Sequence, residues 1–163
     1  MKREKDYEKK RNDKNGVTHS LLRVIYSVMD LDHSMRYYGT DVPLHFGEIH
    51  MIKEIKVNPG TYISELAEKN GVTRGAVSQM VKKLEKKGIL VKVPDERNRS
   101  RLLLELTDKG NTAFEEHERY HRVFNEMLDK ALEEFEGVEK ERINEFLGKV
   151  LEITKYFKIM IKK

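Results

Sequence analysis

Side chains that can bind nucleic acid are concentrated in one stretch of the sequence, residues 73–99. Hydroxyl, amide, ammonium and guanidinium groups donate hydrogen bonds to phosphates and to base edges. The first group recurs at the three- and four-residue spacing of one helix face. Its members are Thr73, Arg74, Ser78, Gln79, Lys82 and Lys83. A second group, Asp95, Arg97 and Arg99, lies in a polar loop shortly afterwards. Both groups fit the surface of double-stranded DNA.

A helix-turn-helix is predicted to position the first group. Before it, Ile63, Leu66 and Ala67 have the spacing of a short helix that packs by one face. The following Gly71 tolerates the left-handed backbone that ends a helix sharply. Thr73 is then the predicted N-cap of a second helix. The residues that this second helix is expected to bury are Ala76, Val77, Met80, Val81 and Leu84.

A two-stranded wing is predicted to position the second group. Residues 89–93 are rich in β-forming residues and residues 102–106 alternate along the chain, so both are expected to be strands. The loop 94–100 between them is too charged to pack inward. Guanidinium groups at such a tip suit the narrow, electronegative minor groove of DNA. The Asp95 carboxylate is expected to hold the Arg97 guanidinium in a fork-shaped pair.

These stretches also carry a family resemblance. SELAEKNGVTRGAVSQMVKKLEKKGIL and DERNRSRLLLELTDKG resemble the MarR family of dimeric winged-helix transcriptional regulators, over residues 18–157. Asp95 and Arg97 fit the start of the family's wing motif, whereas Asn98-Arg99-Ser100 replaces a more strongly charged run. The resemblance implies a fold that is mainly α, with a small two-stranded β wing. It also implies a homodimer that binds DNA and regulates transcription, usually as a repressor.

The distribution of charge agrees with a DNA-binding segment. The formal net charge of the 163 residues is only +4. From residue 60 to 101, however, ten Lys or Arg residues face five Asp or Glu, whereas from residue 107 onward the numbers are eleven and thirteen. Positive charge is therefore concentrated in the predicted winged helix-turn-helix, where it can displace counterions from phosphates.

Several classes of protein are excluded by what the sequence lacks. It has no cysteine, which excludes a disulfide framework and a thiol redox switch. Its N-terminal stretch, MKREKDYEKKRNDKN, lacks the apolar run of a signal peptide or membrane span. We therefore expect a cytoplasmic protein with no membrane partner, in which residues 1–16 form a disordered basic arm.

Two helices are predicted before the helix-turn-helix. Residues 18–38 have an apolar stripe that ends at Met35. Residues 45–56 are expected to form the second helix, and its buried positions to be Phe46, Ile49 and Ile52.

Two long amphipathic helices are predicted after the wing. Thr107 is expected to cap the first of them, and Gly137 to separate it from the second. Their apolar stripes exceed what a small winged-helix core can cover, so we expect a two-fold dimer and a pseudo-palindromic DNA site. The predicted division is an N-terminal dimerisation helix at 17–43, the winged helix-turn-helix at 44–106 and C-terminal dimerisation helices at 107–163.

A second constellation of side chains has the chemistry of a metal site. His117 and His121 are four residues apart, so their imidazoles project from one helix face. Asp32 falls on the apolar stripe of the first helix, where an unpaired carboxylate is costly, and His50 follows a buried position of the second. Three nitrogens and one oxygen would suit Zn²⁺, the one cofactor that the sequence indicates as a candidate.

The family resemblance bears on this constellation separately. Zinc-responsive repressors of the MarR family have a Glu-His-x-x-x-His run, which Glu116, His117 and His121 match. His50 matches their second-helix histidine, and Asp32 stands where they have glutamate. Fatty-acid-synthesis repressors of the family carry similarly spaced histidines. Three interpretations therefore stay open: a single metal site, a structural or pH-sensitive polar cluster, and the lining of a pocket for an organic effector.

Two other functional classes are less well supported by the sequence. A non-specific architectural DNA-binding protein would be uniformly basic, whereas this charge is localised. A metal-dependent enzyme could use the histidine cluster to activate water. The sequence has no HExxH motif, Gly-rich phosphate loop or Ser nucleophile setting to support one, and we expect no enzyme. We expect instead a transcriptional regulator controlled by a small ligand or a metal ion.

Overall fold

The computed structural model describes residues 16–33 and 35–161, without the side chains of residues 31–33. The predicted basic arm therefore lies almost wholly outside the described residues. The chain divides into two compact units, and the boundary between His117 and Glu118 falls inside a long helix. The described elements are α1 (Val17–His33), α2 (Phe46–Val57), α3 (Ile63–Asn70), α4 (Arg74–Lys86), β1 (Leu90–Asp95), β2 (Asn98–Leu106), α5 (Asp108–Leu132) and α6 (Gly137–Met160).

The first unit contains a hydrophobic core shared by α2, α3, α4 and the wing. Burying one such aliphatic side chain stabilises a fold by roughly 1.5–3 kcal/mol, so the core holds these small elements together. Its largest fully buried members are Leu44, Ile49, Ile52, Leu66, Val77, Val81, Leu84, Ile89, Leu90 and Leu104. This confirms the predicted fold class, mainly α with a two-stranded wing.

The turn between α3 and α4 follows the predicted local chemistry. Gly71 has a φ of 62°, and its backbone N–H donates to the carbonyl of Glu68 at 3.1 Å. The Thr73 hydroxyl accepts a hydrogen bond from the backbone N–H of Ala76 at 3.2 Å, which makes it the N-cap of α4. The glycine end and the threonine start together produce the sharp turn of a helix-turn-helix.

Three predicted core positions of α2 and α4 are not fully buried. Phe46 is 44% exposed, because the first turn of α2 instead buries Glu48, only 3% exposed. Ala76 is exposed and Met80 half-buried, since both line an open groove between α2 and α4. Across that groove stands Gly47, whose lack of a side chain leaves α4 uncovered at this point. Helical spacing therefore identified the buried faces of α2 and α4 correctly. It could not show which positions on those faces a neighbouring element leaves uncovered.

The wing extends further than predicted. β1 and β2 pair antiparallel, and the tip is a two-residue turn at Glu96 and Arg97 instead of the loop 94–100. The register shifts after Pro94, so that residues 99–101 of β2 have no partner in β1. Proline has no N–H to donate to a strand ladder, which explains an irregularity at this position.

A short extended segment before α3 pairs with the outer edge of β2. The backbone N–H of Leu104 donates to the Thr61 carbonyl at 2.9 Å, and Tyr62 forms an isolated bridge with Leu103. The wing is therefore attached to the start of α3 as well as to the end of α4.

The first predicted helix ends earlier than expected. α1 stops at His33, Met35 is 58% exposed, and Arg36 pairs with Leu44 in an isolated β-bridge. The chain reverses at Tyr38 and Gly39, which have φ angles of 44° and 70°. A helix cannot pass through two left-handed residues, so residues 35–45 form a loop instead, called the α1–α2 loop below.

The start of α5 is joined closely to the wing. The Thr107 hydroxyl donates to the Gly88 carbonyl at 2.7 Å and accepts from the Gly110 backbone N–H at 3.2 Å, which confirms the predicted cap. A Cβ atom at Gly110 would lie 2.2 Å from the Ile89 carbonyl oxygen. Only glycine permits this close approach of the helix to the chain entering β1.

The second unit consists of α6 and of the part of α5 that follows His117. A four-residue break at 133–136 separates them, and Gly137 begins α6 instead of interrupting a helix. None of the 24 residues of α6 is buried. Across the described residues, no helix is both long and apolar enough to cross a membrane.

Candidate nucleic-acid interface

The exposed face of α4 presents the side chains predicted to contact DNA. Arg74, Gln79, Lys82 and Lys83 are exposed, and Ser78 is half-buried beside them. The opposite face buries Val77, Val81 and Leu84 in the core, which fixes the rotation of the helix about its axis. The polar face therefore has a rigid support, as a helix that reads a major groove requires.

The basic residues near α4 fall into two classes. Lys87 and Lys92 are engaged within the protein, with ion pairs to Glu48 at 2.6 Å and to Glu85 at 2.7 Å. In contrast, no carboxylate among the described residues pairs with the cations of the exposed face, Arg74, Lys82 and Lys83. Their charge is thus available to an external anion, whereas that of Lys87 and Lys92 is already neutralised.

The wing tip is shaped by backbone hydrogen bonds, which corrects one predicted contact. The Asp95 carboxylate accepts from the backbone N–H of Arg97 at 2.9 Å, not from its guanidinium. The Asn98 side-chain oxygen likewise accepts from the Ser100 backbone N–H at 3.1 Å. A side chain that bonds the backbone two residues on stabilises a tight turn. Asp95 therefore orients Arg97 through the main chain, and both Arg97 and Arg99 are exposed.

One cation of the interface was missed in the sequence. The Arg101 guanidinium lies over the Tyr62 ring, 4.7 Å from its centroid, which restrains the side chain by a cation–π contact. Arg101 also lines, with Arg74, an open cleft of about 810 Å³ between α3, the start of α4 and the wing. The helix and the wing therefore share one concave surface with a cation on each side. The position of this arginine, directly after the wing motif, could have identified it from the sequence.

The histidine constellation is partly assembled in the first unit. His50 of α2 and His117 of α5 contact each other edge to face, with ring centroids 5.5 Å apart. Phe46 packs on His50 at 4.1 Å, and Tyr38 on His117 at 5.6 Å. His117 is 6% exposed. The predicted proximity of the second-helix histidine to the long helix is thus present.

Among the described side chains, no other predicted ligand joins this pair to form a metal site. Asp32 lies in α1, but its side chain is outside the described part of the chain. His121 is exposed and belongs to the second unit. Glu116 packs near Gly39. Where side chains are described, no three His, Cys, Asp or Glu residues are grouped as a metal ion would require.

Comparison with known proteins identifies the fold and the family. The sequence model of the MarR family matches residues 46–100, which span α2, the helix-turn-helix and most of the wing. The chain is also similar to YybA of Bacillus subtilis, an uncharacterized HTH-type transcriptional regulator. The two are 34% identical over 110 residues, which cover 68% of this chain and 71% of YybA.

Solved structures share the architecture. Streptococcus pneumoniae FabT in complex with DNA has a TM-score of 0.65 and 23% identity, covering 86% of this chain and 96% of FabT. Lactococcus lactis ZitR, a zinc-responsive MarR family member, has a TM-score of 0.66 and 17% identity, covering 85% of this chain and 99% of ZitR. At these identities, FabT and ZitR show only that the fold is shared. YybA, at 34% identity, is also similar in sequence. The chain belongs to the MarR family of transcriptional regulators.

Proposed function

We propose that this regulator binds a specific double-stranded DNA sequence with α4 and the wing. The observation that carries the proposal is the exposed face of α4, which presents Ser78 and Gln79 together with three cations. These cations, Arg74, Lys82 and Lys83, have no carboxylate partner in the described part of the chain. Lysine and arginine supply affinity through phosphates, and the amide supplies discrimination through a base edge. Arg97 and Arg99 extend the contact into the minor groove. FabT, bound to DNA, has the same fold.

The proposed DNA-binding species is a homodimer, as is usual in this family. Its support in this chain is the large apolar surface of α1, α5 and α6, with exposed side chains such as Phe124, Leu128, Ile153 and Phe157. Large apolar side chains exposed in such number are typical of helices that form an interface. A two-fold dimer presents two copies of α4, so the DNA site should be pseudo-palindromic, with half-sites about one helical turn apart.

A charge-removal variant tests the interface. Replacing Arg74, Lys82 and Lys83 by Ala should greatly weaken duplex binding and flatten its dependence on salt. The slope of log K against log salt should fall by about 0.9 for each phosphate that the variant no longer neutralises. The matched control replaces Lys140, Arg142 and Lys155 of α6, and should retain both affinity and slope. Equal losses in the two variants would show that total charge, not the α4 face, drives binding.

We further propose that a metal ion, zinc in the first instance, controls the regulator through His50 and His117. Two imidazoles on one tetrahedral zinc, with Zn–N bonds of about 2.0–2.1 Å, have ring centroids about 5 Å apart. The observed 5.5 Å is close to that spacing. His121 and Asp32 complete the proposed set from their sequence positions alone. ZitR, a zinc-responsive protein, has the same fold.

Zinc would act by cross-linking α2 to α5. Because α2 shares the hydrophobic core with α4, this link would also restrain α4. An effector shifts DNA affinity only if it binds the DNA-competent arrangement with a different affinity from the alternative. The ligating imidazoles must be neutral, so zinc affinity should fall as the solution is acidified.

Calorimetry on chelator-treated protein tests this proposal. One zinc per subunit should bind at neutral pH, and His50→Ala, His117→Ala and His121→Ala should each abolish uptake. His19→Ala, which removes an exposed histidine of α1, is the matched control and should bind normally. No zinc uptake by the wild-type protein would reject metal control and favour an organic effector or a polar cluster.

A further inference from the structure

A buried ion pair joins the end of the DNA-reading helix to the start of α2. Lys87 follows α4 directly, and its ammonium lies 2.7 and 2.6 Å from the two carboxylate oxygens of Glu48. The side chain of Glu48 is 4% exposed and that of Lys87 24% exposed, so water screens the pair weakly. The two residues are 39 positions apart in the chain. The contact is therefore tertiary.

Both partners of this pair are also bound to the backbone of the α1–α2 loop. The Lys87 ammonium donates to the Pro43 carbonyl at 2.7 Å, and the Glu48 carboxylate accepts from the His45 backbone N–H at 2.8 Å. Leu44, between these two positions, is fully buried. One cluster of hydrogen bonds thus fixes the loop, the first turn of α2 and the end of α4 together.

A second lysine attaches the same loop to α5. The Lys109 ammonium lies 2.7 Å from the Asp41 carboxylate and 3.4 Å from the Lys87 carbonyl oxygen. The hydrogen bond from Lys109 lowers the pKa of Asp41. The end of α4 is therefore held by the loop on one side and by the start of α5 on the other.

We propose that Lys87 is a positioning residue of the DNA-reading helix and not a phosphate ligand. Together with Glu48 it fixes the C-terminal end of α4 to the α1–α2 loop, and so sets the angle at which the exposed face of α4 meets the major groove. This inference rests on the proposed DNA-binding function. The charge of Lys87 alone would suggest a phosphate ligand, whereas its contacts with Glu48 and Pro43 give it a structural role.

The two roles give different salt dependences. Loss of a phosphate ligand weakens binding to every duplex and lowers the salt slope, whereas loss of a positioning residue weakens only the selected sequence. We therefore expect Lys87→Met to lower affinity for a duplex selected by the wild-type protein by about tenfold or more. Affinity for a scrambled duplex, and the salt slope on it, should stay unchanged.

Matched variants separate positioning from general damage. Lys86→Met removes an exposed lysine from the same helix end and should leave the ratio of selected to scrambled affinity intact. Lys87→Arg should restore that ratio, because a guanidinium can pair with both oxygens of Glu48. If Lys87→Met does not fold, Glu48→Gln with Lys87→Met removes both buried charges while the amide oxygen still accepts from His45. This double variant should fold and show the same loss of discrimination.

Each outcome decides the question. A folded Lys87→Met protein, or a folded double variant, that keeps the wild-type ratio or shows a lower salt slope on both duplexes would overturn the positioning role while leaving the DNA-binding function intact. A wild-type protein that discriminates between no duplexes would instead overturn the proposed function itself. Circular dichroism at the temperature of the binding assay verifies that each variant is folded.

Discussion

Under the proposed function, single residues of α4 should contribute differently to DNA affinity and to sequence discrimination. Gln79→Ala should relax the base preference at one position of each half-site, at a cost of about 1–3 kcal/mol for the preferred base, because an amide addresses an adenine edge with two hydrogen bonds. Lys82→Ala should weaken all duplexes alike and reduce the salt slope by about 0.9 for each phosphate left without its lysine. Binding of a set of single-base operator variants measures both. A uniform loss in both variants would contradict direct readout by Gln79.

The wing tip should contribute to affinity without contributing to stability. Arg97→Ala is expected to weaken operator binding by roughly 1–3 kcal/mol. Its side chain is exposed, so the melting temperature should not change. Asp95→Ala should have a smaller effect in the same direction, because the turn loses the bond to the Arg97 backbone N–H. The control is Arg142→Ala in α6, and an Arg97→Ala protein with the affinity of this control would remove the wing from the interface.

Residue-scale features were predictable where the chemistry is local. The Thr73 cap and the Gly71 turn depend on neighbours within three residues, and both are present as predicted. The Asp95 contact was placed correctly but assigned to the wrong group of Arg97, because a backbone N–H two residues away competes with a flexible guanidinium. The Glu48–Lys87 pair could not be predicted, since helical spacing carries no information about a partner 39 positions away.

At the scale of elements, the junction of α5 with the wing should depend on a missing side chain. Gly110→Ala would place a Cβ 2.2 Å from the Ile89 carbonyl oxygen, a backbone atom that cannot move alone. We expect destabilisation of about 1–3 kcal/mol, the range of an overpacked core. Gly137→Ala at the start of α6 is the control, because a Cβ there would meet no described atom within 4 Å apart from its chain neighbours and the backbone of its own helix. Urea unfolding measures both, and equal midpoints would disprove the close approach.

Element boundaries were predictable where a stop signal is encoded and not where contacts decide. α3 ends before Gly71, which has a φ of 62°, as its sequence indicates. α1 ends at His33 because the chain after it pairs Arg36 with Leu44, a contact that helical periodicity cannot anticipate. The predicted loop of the wing proved to be strand on both sides of a two-residue turn, because a charged hairpin still pairs its backbone.

At the scale of the whole molecule, the helices outside the winged helix-turn-helix should need a second copy of the chain. Ile153 and Phe157 are 56% and 57% exposed on α6, a helix without a buried residue. The double variant Ile153→Glu, Phe157→Glu should sediment as a monomer in sedimentation velocity. It should also lose cooperative operator binding. The control, Lys155→Glu on the same helix, should remain dimeric. Wild-type protein that sediments as a monomer at micromolar concentration would contradict the dimer.

We propose that two copies of α4 in the dimer read a two-fold symmetric DNA sequence. Selection from a random duplex library with the wild-type protein tests it most directly, because the selection itself reveals the operator sequence. The enriched duplexes should contain an inverted repeat whose half-site centres lie about 10–10.5 base pairs apart. Enrichment of an asymmetric single site, or no enrichment over the starting library, would contradict the claim.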